Sequence, residues 1–168
     1  MKKLSILLTV ALVFVLASCG STKGDTEIEN KIAGTWTAEY SETEDGVLGY
    51  ITETVNYDAG GHTFTVNVKC NLSYMEYSLG SFTMHANGTW SATKDAIVEK
   101  YEVDNIRLEF SRDYLENTET SEAEARREMM GELKSDLKEA QALKLNIISD
   151  SEIEQTDSEG TTVTYYRQ

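Results

Sequence analysis

Between Thr63 and Leu72 the hydrophobic character switches at every residue. Phe64, Val66, Val68, Cys70 and Leu72 fall on one side of an extended chain, and Thr63, Thr65, Asn67, Lys69 and Asn71 on the other. A period of two is that of a β-strand, because successive Cβ atoms point to opposite faces. Such a segment sets one face on a core and the other in water, as the wall of an antiparallel sheet or barrel does. Cys70 belongs to the apolar face and reads as a small core residue.

Similar stretches flank it. Ile32 to Tyr40 puts Trp36, Ala38 and Tyr40 on one face, and Val47 to Asp58 does the same with Val47, Ile51, Val55 and Tyr57. Ala59-Gly60-Gly61 is expected to close a hairpin, since paired glycines accept positive φ. Tyr74 to Met84 is less regular, with Gly80 marking a bulge. Ala86-Asn87-Gly88 carries the strongest short hairpin signal in the chain and predicts a returning strand with Trp90 and Ala92. Ala96 to Val103 and Asn105 to Ser111 follow, the second with Ile106, Leu108 and Phe110 inward. Seven strands in about 80 residues indicate a sandwich or an up-and-down barrel. Proline is absent, where ordinary usage would give roughly eight. Every backbone N–H is then available to a ladder.

The period changes at Ser121-Glu122-Ala123-Glu124, a capping box that predicts one long helix over 121–142. Met130, Leu133, Leu137 and Ala140, flanked by Met129, form its apolar stripe. Short strands at Leu143–Ser149, Glu152–Thr156 and Thr161–Arg167 complete the chain. If the last pairs with the first, the sheet closes.

The N-terminal segment carries a different signal. Lys2 and Lys3 precede an apolar run from Leu4 to Leu16, which meets Ala17, Ser18 and Cys19. The run is too short for the roughly 20 residues that span a bilayer. The pattern resembles the signal and lipobox of bacterial lipoproteins. That resemblance implies a signal peptide over 1–18, acyl and diacylglycerol lipid on Cys19, a flexible tether over 19–29 and a folded domain over 30–168. Gly20, where an inner-membrane protein would carry Asp, implies outer-membrane residence. With Cys19 lipidated, Cys70 has no disulfide partner.

Charge narrows the partners. With 29 acidic residues against 15 basic and a net charge of −14, the surface repels nucleic acid and anionic headgroups. Membrane attachment must then come from the lipid anchor.

Gly34-Thr35-Trp36 at the first strand and Arg167 after Tyr165-Tyr166 resemble the lipocalin superfamily, in particular the lipocalin-like lipoproteins of Gram-negative bacteria. The resemblance implies an antiparallel up-and-down barrel of about 8–10 strands; the helix read over 121–142 stands before the last strands, whereas in typical lipocalins it follows the eighth. It implies further that Trp36 plugs the closed end beneath the cation of Arg167. Gly88-Thr89-Trp90-Ser91-Ala92 nearly repeats Gly34-Thr35-Trp36-Thr37-Ala38, so either tryptophan fits the role of plug. The candidate residues for the barrel core or a ligand are Trp36, Tyr57, Phe64, Val66, Trp90, Tyr101, Phe110 and Arg167.

No catalytic motif or metal-ligand spacing accompanies these features. His62 and His85 stand beside predicted turns, and the acids from Asp150 to Glu159 lack the pattern of a calcium loop. The expectation is a non-enzymatic envelope protein, without metal and without a cofactor beyond the covalent lipid, whose barrel binds a small apolar or amphipathic ligand. The alternative is a filled barrel that meets an envelope protein partner through its acidic surface and the 121–142 helix.

Overall fold

The computed structural model describes residues 24–168. The expected signal peptide, Cys19 and the first part of the expected tether fall on residues 1–23, outside the described residues.

The chain opens with α1 (Thr26–Ile32), capped by the Asp25 carboxylate, which accepts from the backbone N–H groups of Glu27 and Ile28. This corrects the expected tether: residues 26–29 are helical, Glu29 is buried and Ile32 is fully enclosed. The Ala92 N–H donates to Glu29 Oε1 at 3.3 Å, which ties the helix to the barrel.

Five strands follow: β1 (Gly34–Glu44), β2 (Val47–Asp58), β3 (Thr63–Tyr74), β4 (Tyr77–Ala92) and β5 (Ala96–Tyr101). A 3-10 turn (Val103–Asn105), the short β6 (Arg107–Phe110), α2 (Arg112–Asn117) and α3 (Glu122–Asp136) lead to β7 (Gln141–Ser149), β8 (Glu152–Thr156) and β9 (Thr162–Arg167). Neighbours pair antiparallel in the cycle β1-β2-β3-β4-β5-β7-β8-β9-β1, a closed eight-stranded up-and-down barrel. The seam is short, with Trp36 opposite Arg167 and Thr37 opposite Tyr166. The last strand does pair with the first, so the eight-stranded cycle has no end strand, while the short β6 lies outside the cycle and, among the described residues, pairs only with β4.

The alternation in β3 is followed without exception from Phe64 to Leu72, each even residue buried and each odd one exposed through Asn71. The irregularity expected at Gly80 is present: Leu72 pairs with Gly80 and Ser73 with Ser78. The turn after β2 forms as expected, but its positive φ belongs to His62, at 49°. Gly60 and Gly61 instead donate their N–H groups to the Asp58 carboxylate.

Three expectations are corrected. The Asn87-Gly88 hairpin does not form, and β4 runs through it for 16 residues. Its first half pairs with β6, from Phe82 to His85, and its second with β5, from Gly88 to Ala92. The segment from Gly34 to Phe110 therefore holds six strands where the sequence suggests seven. Finally, α3 ends at Asp136, six residues early, with Leu137 as its C-cap. There the Gln141 side-chain amide donates to the carbonyls of Asp136 and Glu139, satisfying groups a helix end leaves open. Ala125, Met129, Leu133 and Leu137 are the buried positions of this segment, while Ala140 is exposed.

Candidate functional site

Strand parity decides what the barrel encloses. At the end where the chain enters, Trp36 is 1% exposed and donates Nε1–H to the Ile32 carbonyl at 2.7 Å. The Arg167 guanidinium lies 4.2 Å above its ring centre, and its N–H groups reach the carbonyls of Lys31, Ala33 and Asp150. These bonds hold the cation on the ring, a contact worth about 1–2 kcal/mol where partly desolvated. Gly34, at φ +121°, leaves room for it: a Cβ there would stand 2.8 Å from Arg167 Nη1. Of the two tryptophans, Trp36 is the one that carries the arginine.

Trp90 belongs to the adjoining layer. It donates to the Asp58 carbonyl at 3.2 Å, and its ring centre is 4.7 Å from that of Tyr57. Phe64 continues the cluster, 6.2 Å from Tyr57 and 4.9 Å edge-on to Tyr101. Val66, opposite Val55 and Ala86, is buried beside it. Six of the candidates, Trp36, Tyr57, Phe64, Val66, Trp90 and Tyr101, thus fill the closed half. Phe110 stands apart, stacked on Tyr114 at 5.4 Å with Arg126 at 5.9 Å from its ring.

Polar groups that sequence reasoning passed over sit among them. The Glu99 carboxylate is buried and accepts from the hydroxyls of Tyr57 and Tyr101, the latter at 3.0 Å, while Gln155 donates to the Tyr57 oxygen at 3.1 Å. Burial pushes the Glu99 carboxyl up, against the two tyrosine hydrogen bonds. The same burial and the neighbouring Glu99 push the hydroxyls of Tyr57 and Tyr101 well up.

Towards the other end the interior changes character. Tyr40, Glu42, Glu44 and Glu53 share the inward parity of Trp36 and Ile51, yet all four keep partial solvent contact. Glu53 accepts hydrogen bonds from Tyr165 and, at 3.5 Å, from Tyr40. Desolvation, and then repulsion from Glu99, raise its carboxyl to about 7. Burial and then Asp157 and Glu44 raise Glu42. Burial and then Glu42 push the Cys70 thiol up to about 12, so the thiol stays protonated at neutral pH. Apart from Arg167 at the closed end, no Lys or Arg among the described strand residues has inward parity. Towards the opposite end, which is the mouth of the barrel if it has one, the inward face of β1 and β2 therefore carries hydroxyls and carboxyls beside the buried apolar side chains of Leu72 and Phe82.

Parity was the available signal: Glu99 alternates with Ile97 and Tyr101, and Glu53 with Ile51 and Val55. An acid at an inward position reads as a buried polar network before any contact is seen.

Glu53 makes the interior sensitive to pH. Its folded-state pKa lies above the ordinary carboxylate value, so the protein is favoured while both states are protonated. Stability then falls as pH rises from about 4.5, where the unfolded chain ionises, to about 7, where the folded one does. Glu53→Gln is expected to remove roughly 2 kcal/mol of that loss, the full shift being discounted for residual solvent contact. Urea midpoints of variant and parent between pH 4.5 and 8 measure it. Parallel curves would show that Glu53 titrates normally.

Among the described residues no group of three or more His, Cys, Asp or Glu is arranged to hold a metal ion. Compared with known families and with curated proteins, the sequence matches no family model and no curated relative.

Proposed function

We propose that the protein is a non-enzymatic lipoprotein of the cell envelope, anchored through lipid on Cys19, whose barrel receives a small amphipathic ligand at its mouth. The observation that carries this reading is the divided interior. The closed half is filled by Trp36, Tyr57, Phe64 and Trp90, whereas inward-facing Tyr40, Glu42 and Glu53 retain solvent contact. Such a vestibule suits a ligand whose polar end meets carboxyls and tyrosines and whose apolar end rests on buried side chains such as Leu72 and Phe82. α3 helps to frame it, with Glu132 close enough to feel the charge of Glu44.

The fold also favours this orientation. The chain enters through α1 at the closed end, where Asp25 N–H donates to the Ala92 carbonyl. The stretch from Cys19 to Asp25 reaches at most about 20 Å. A lipid on Cys19 keeps the closed end near the bilayer and turns the mouth away from it. Gly20 favours the outer membrane as that bilayer.

One experiment tests anchor and ligand together. Native mass spectrometry of the chain extracted in detergent from its own envelope is expected to give a species that begins at Cys19, carries covalent lipid and holds a non-covalent adduct. A chain that begins elsewhere or lacks lipid removes the anchor. A lipidated chain with no adduct removes the ligand.

The second outcome would favour an interaction module. Leu48, Tyr50, Tyr74, Met75 and Tyr77 are exposed around the β3–β4 hairpin, with Met75 at 76% and Tyr77 at 75%. Tyrosine and methionine are enriched at the cores of protein interfaces.

A further inference from the structure

The outer wall of the barrel carries a concavity independent of its mouth. An open groove of ≈ 620 Å³ lies over β2, β3 and β4 and is walled by the 3-10 turn and the start of β6. Its volume falls within the range of small-molecule sites, about 300–1,000 Å³.

Strand register lays the groove out in two rungs. Thr54, Asn67, His85 and Arg107 stand opposite one another across β2, β3, β4 and β6. Two residues along, Asn56, Thr65 and Asn87 make a parallel row. At the strand spacing of about 4.8 Å, the longer rung covers about 14 Å, and the rungs lie about 7 Å apart. That area matches the face of two linked sugar rings.

The chemistry is unlike the rest of this acidic surface. Amides and hydroxyls offer both donors and acceptors without charge. The acids at the rim are already engaged: Asp104 holds Lys134 at 2.7 Å, and Glu102 accepts from the amides of Asn87 and Asn105. Among the described residues the side chains of Asn67 and Arg107 have no hydrogen-bond or ion-pair partner within the protein, only their backbones being paired in the ladder. A free guanidinium pairs best with a planar or tetrahedral oxyanion. The net charge of −14 opposes a polyanion and tolerates a single negative group.

We propose that this groove binds an acidic saccharide, with ring hydroxyl or acetamido groups on the Thr and Asn rungs and one carboxylate or phosphate on Arg107, beside His85. The site is separate from the barrel mouth and stands whether or not the mouth holds a ligand.

The test is titration of the full chain, in detergent, with glucuronyl-β1,3-N-acetylglucosamine, with neutral N,N′-diacetylchitobiose and with inorganic phosphate, followed by side-chain amide and guanidinium NMR signals. The acidic disaccharide is expected to shift Asn67, Asn87 and Arg107 at millimolar concentration and to bind more tightly than either control. Arg107→Gln should weaken it about tenfold, the value of one charge-assisted hydrogen bond, and leave the neutral disaccharide unchanged. Asn67→Ala should weaken both sugars. Three results would overturn the proposal: no shifts up to about 10 mM, shifts confined to the mouth residues, or phosphate binding as tightly as the disaccharide. The last would mark an anion site with no sugar recognition.

Discussion

Trp36→Ala is expected to lower the stability of the protein by about 3–5 kcal/mol, the cost of deleting a buried tryptophan whose site cannot collapse. Collapse is prevented by what surrounds the ring. Trp36 is 1% exposed beneath Arg167, next to the fully buried Ile32 and opposite Val55. It also supplies the donor for the Ile32 carbonyl, so its loss leaves that carbonyl without its 2.7 Å partner. The damage would extend along the chain, because α1 and the β1–β9 seam meet at this residue and the seam has only two register pairs. For a domain of this size the melting temperature should fall by roughly 10 °C or more. Arg167→Met, which keeps the stem and removes the cation, should cost about 1–2 kcal/mol. Urea denaturation of both variants gives the comparison. If Arg167→Met proved as damaging as Trp36→Ala, the carbonyl contacts of the guanidinium, and not its place over the ring, would be what holds this end together.

Much of this end was legible in the sequence. Gly34-Thr35-Trp36 and Arg167 pointed to a tryptophan covered by a cation, and register and contact place the two residues together. What the chain concealed was the choice between Trp36 and Trp90. Five nearly identical letters cannot reveal that one tryptophan stands at a terminus crossed by α1 and the other beside a hairpin. The polar interior was legible in part. Alternation put Glu53 and Glu99 on inward faces, but their partners Tyr40, Tyr57, Tyr101 and Tyr165, and Gln155 bonded to Tyr57, come from five strands. Only closure brings those together. Helix limits were read from local signals, and they failed where tertiary contacts intervened. α1 forms because Asp25 caps it and Ile32 is buried, although its sequence looks like a polar tether. α3 stops early because Leu137 and Gln141 are drawn into the core.

Gly88 is where local and global signals conflict most, and there Gly88→Ala is expected to cost about 3 kcal/mol. Asn-Gly is the strongest turn signal a short sequence can carry, because both residues tolerate positive φ. In the fold neither residue has positive φ, and each sits in the ladder, Asn87 opposite Thr65 and Gly88 opposite both Phe64 and Tyr101. The glycine is required for space. A Cβ would lie 2.1 Å from the Lys100 carbonyl oxygen and 2.7 Å from the Phe64 ring, so backbone and not a flexible side chain would have to move. Gly88 is also the first residue of β4 to pair with β5 once β6 has ended, and a bulkier residue would push β5 away where the wall passes from one partner to the other. Asn87 faces outward, where β-branched residues suit a strand. Asn87→Thr should therefore change stability by less than about 1 kcal/mol, the loss of its hydrogen bond to Glu102 included. A true Asn-Gly turn would give another order, with Asn87→Thr costly because a β-branched residue resists positive φ. Urea midpoints for the two variants decide it. A severe Asn87→Thr beside a mild Gly88→Ala would mean that β4 breaks in solution at Asn87, and the barrel would then lose the long strand that carries its wall from β6 to β5.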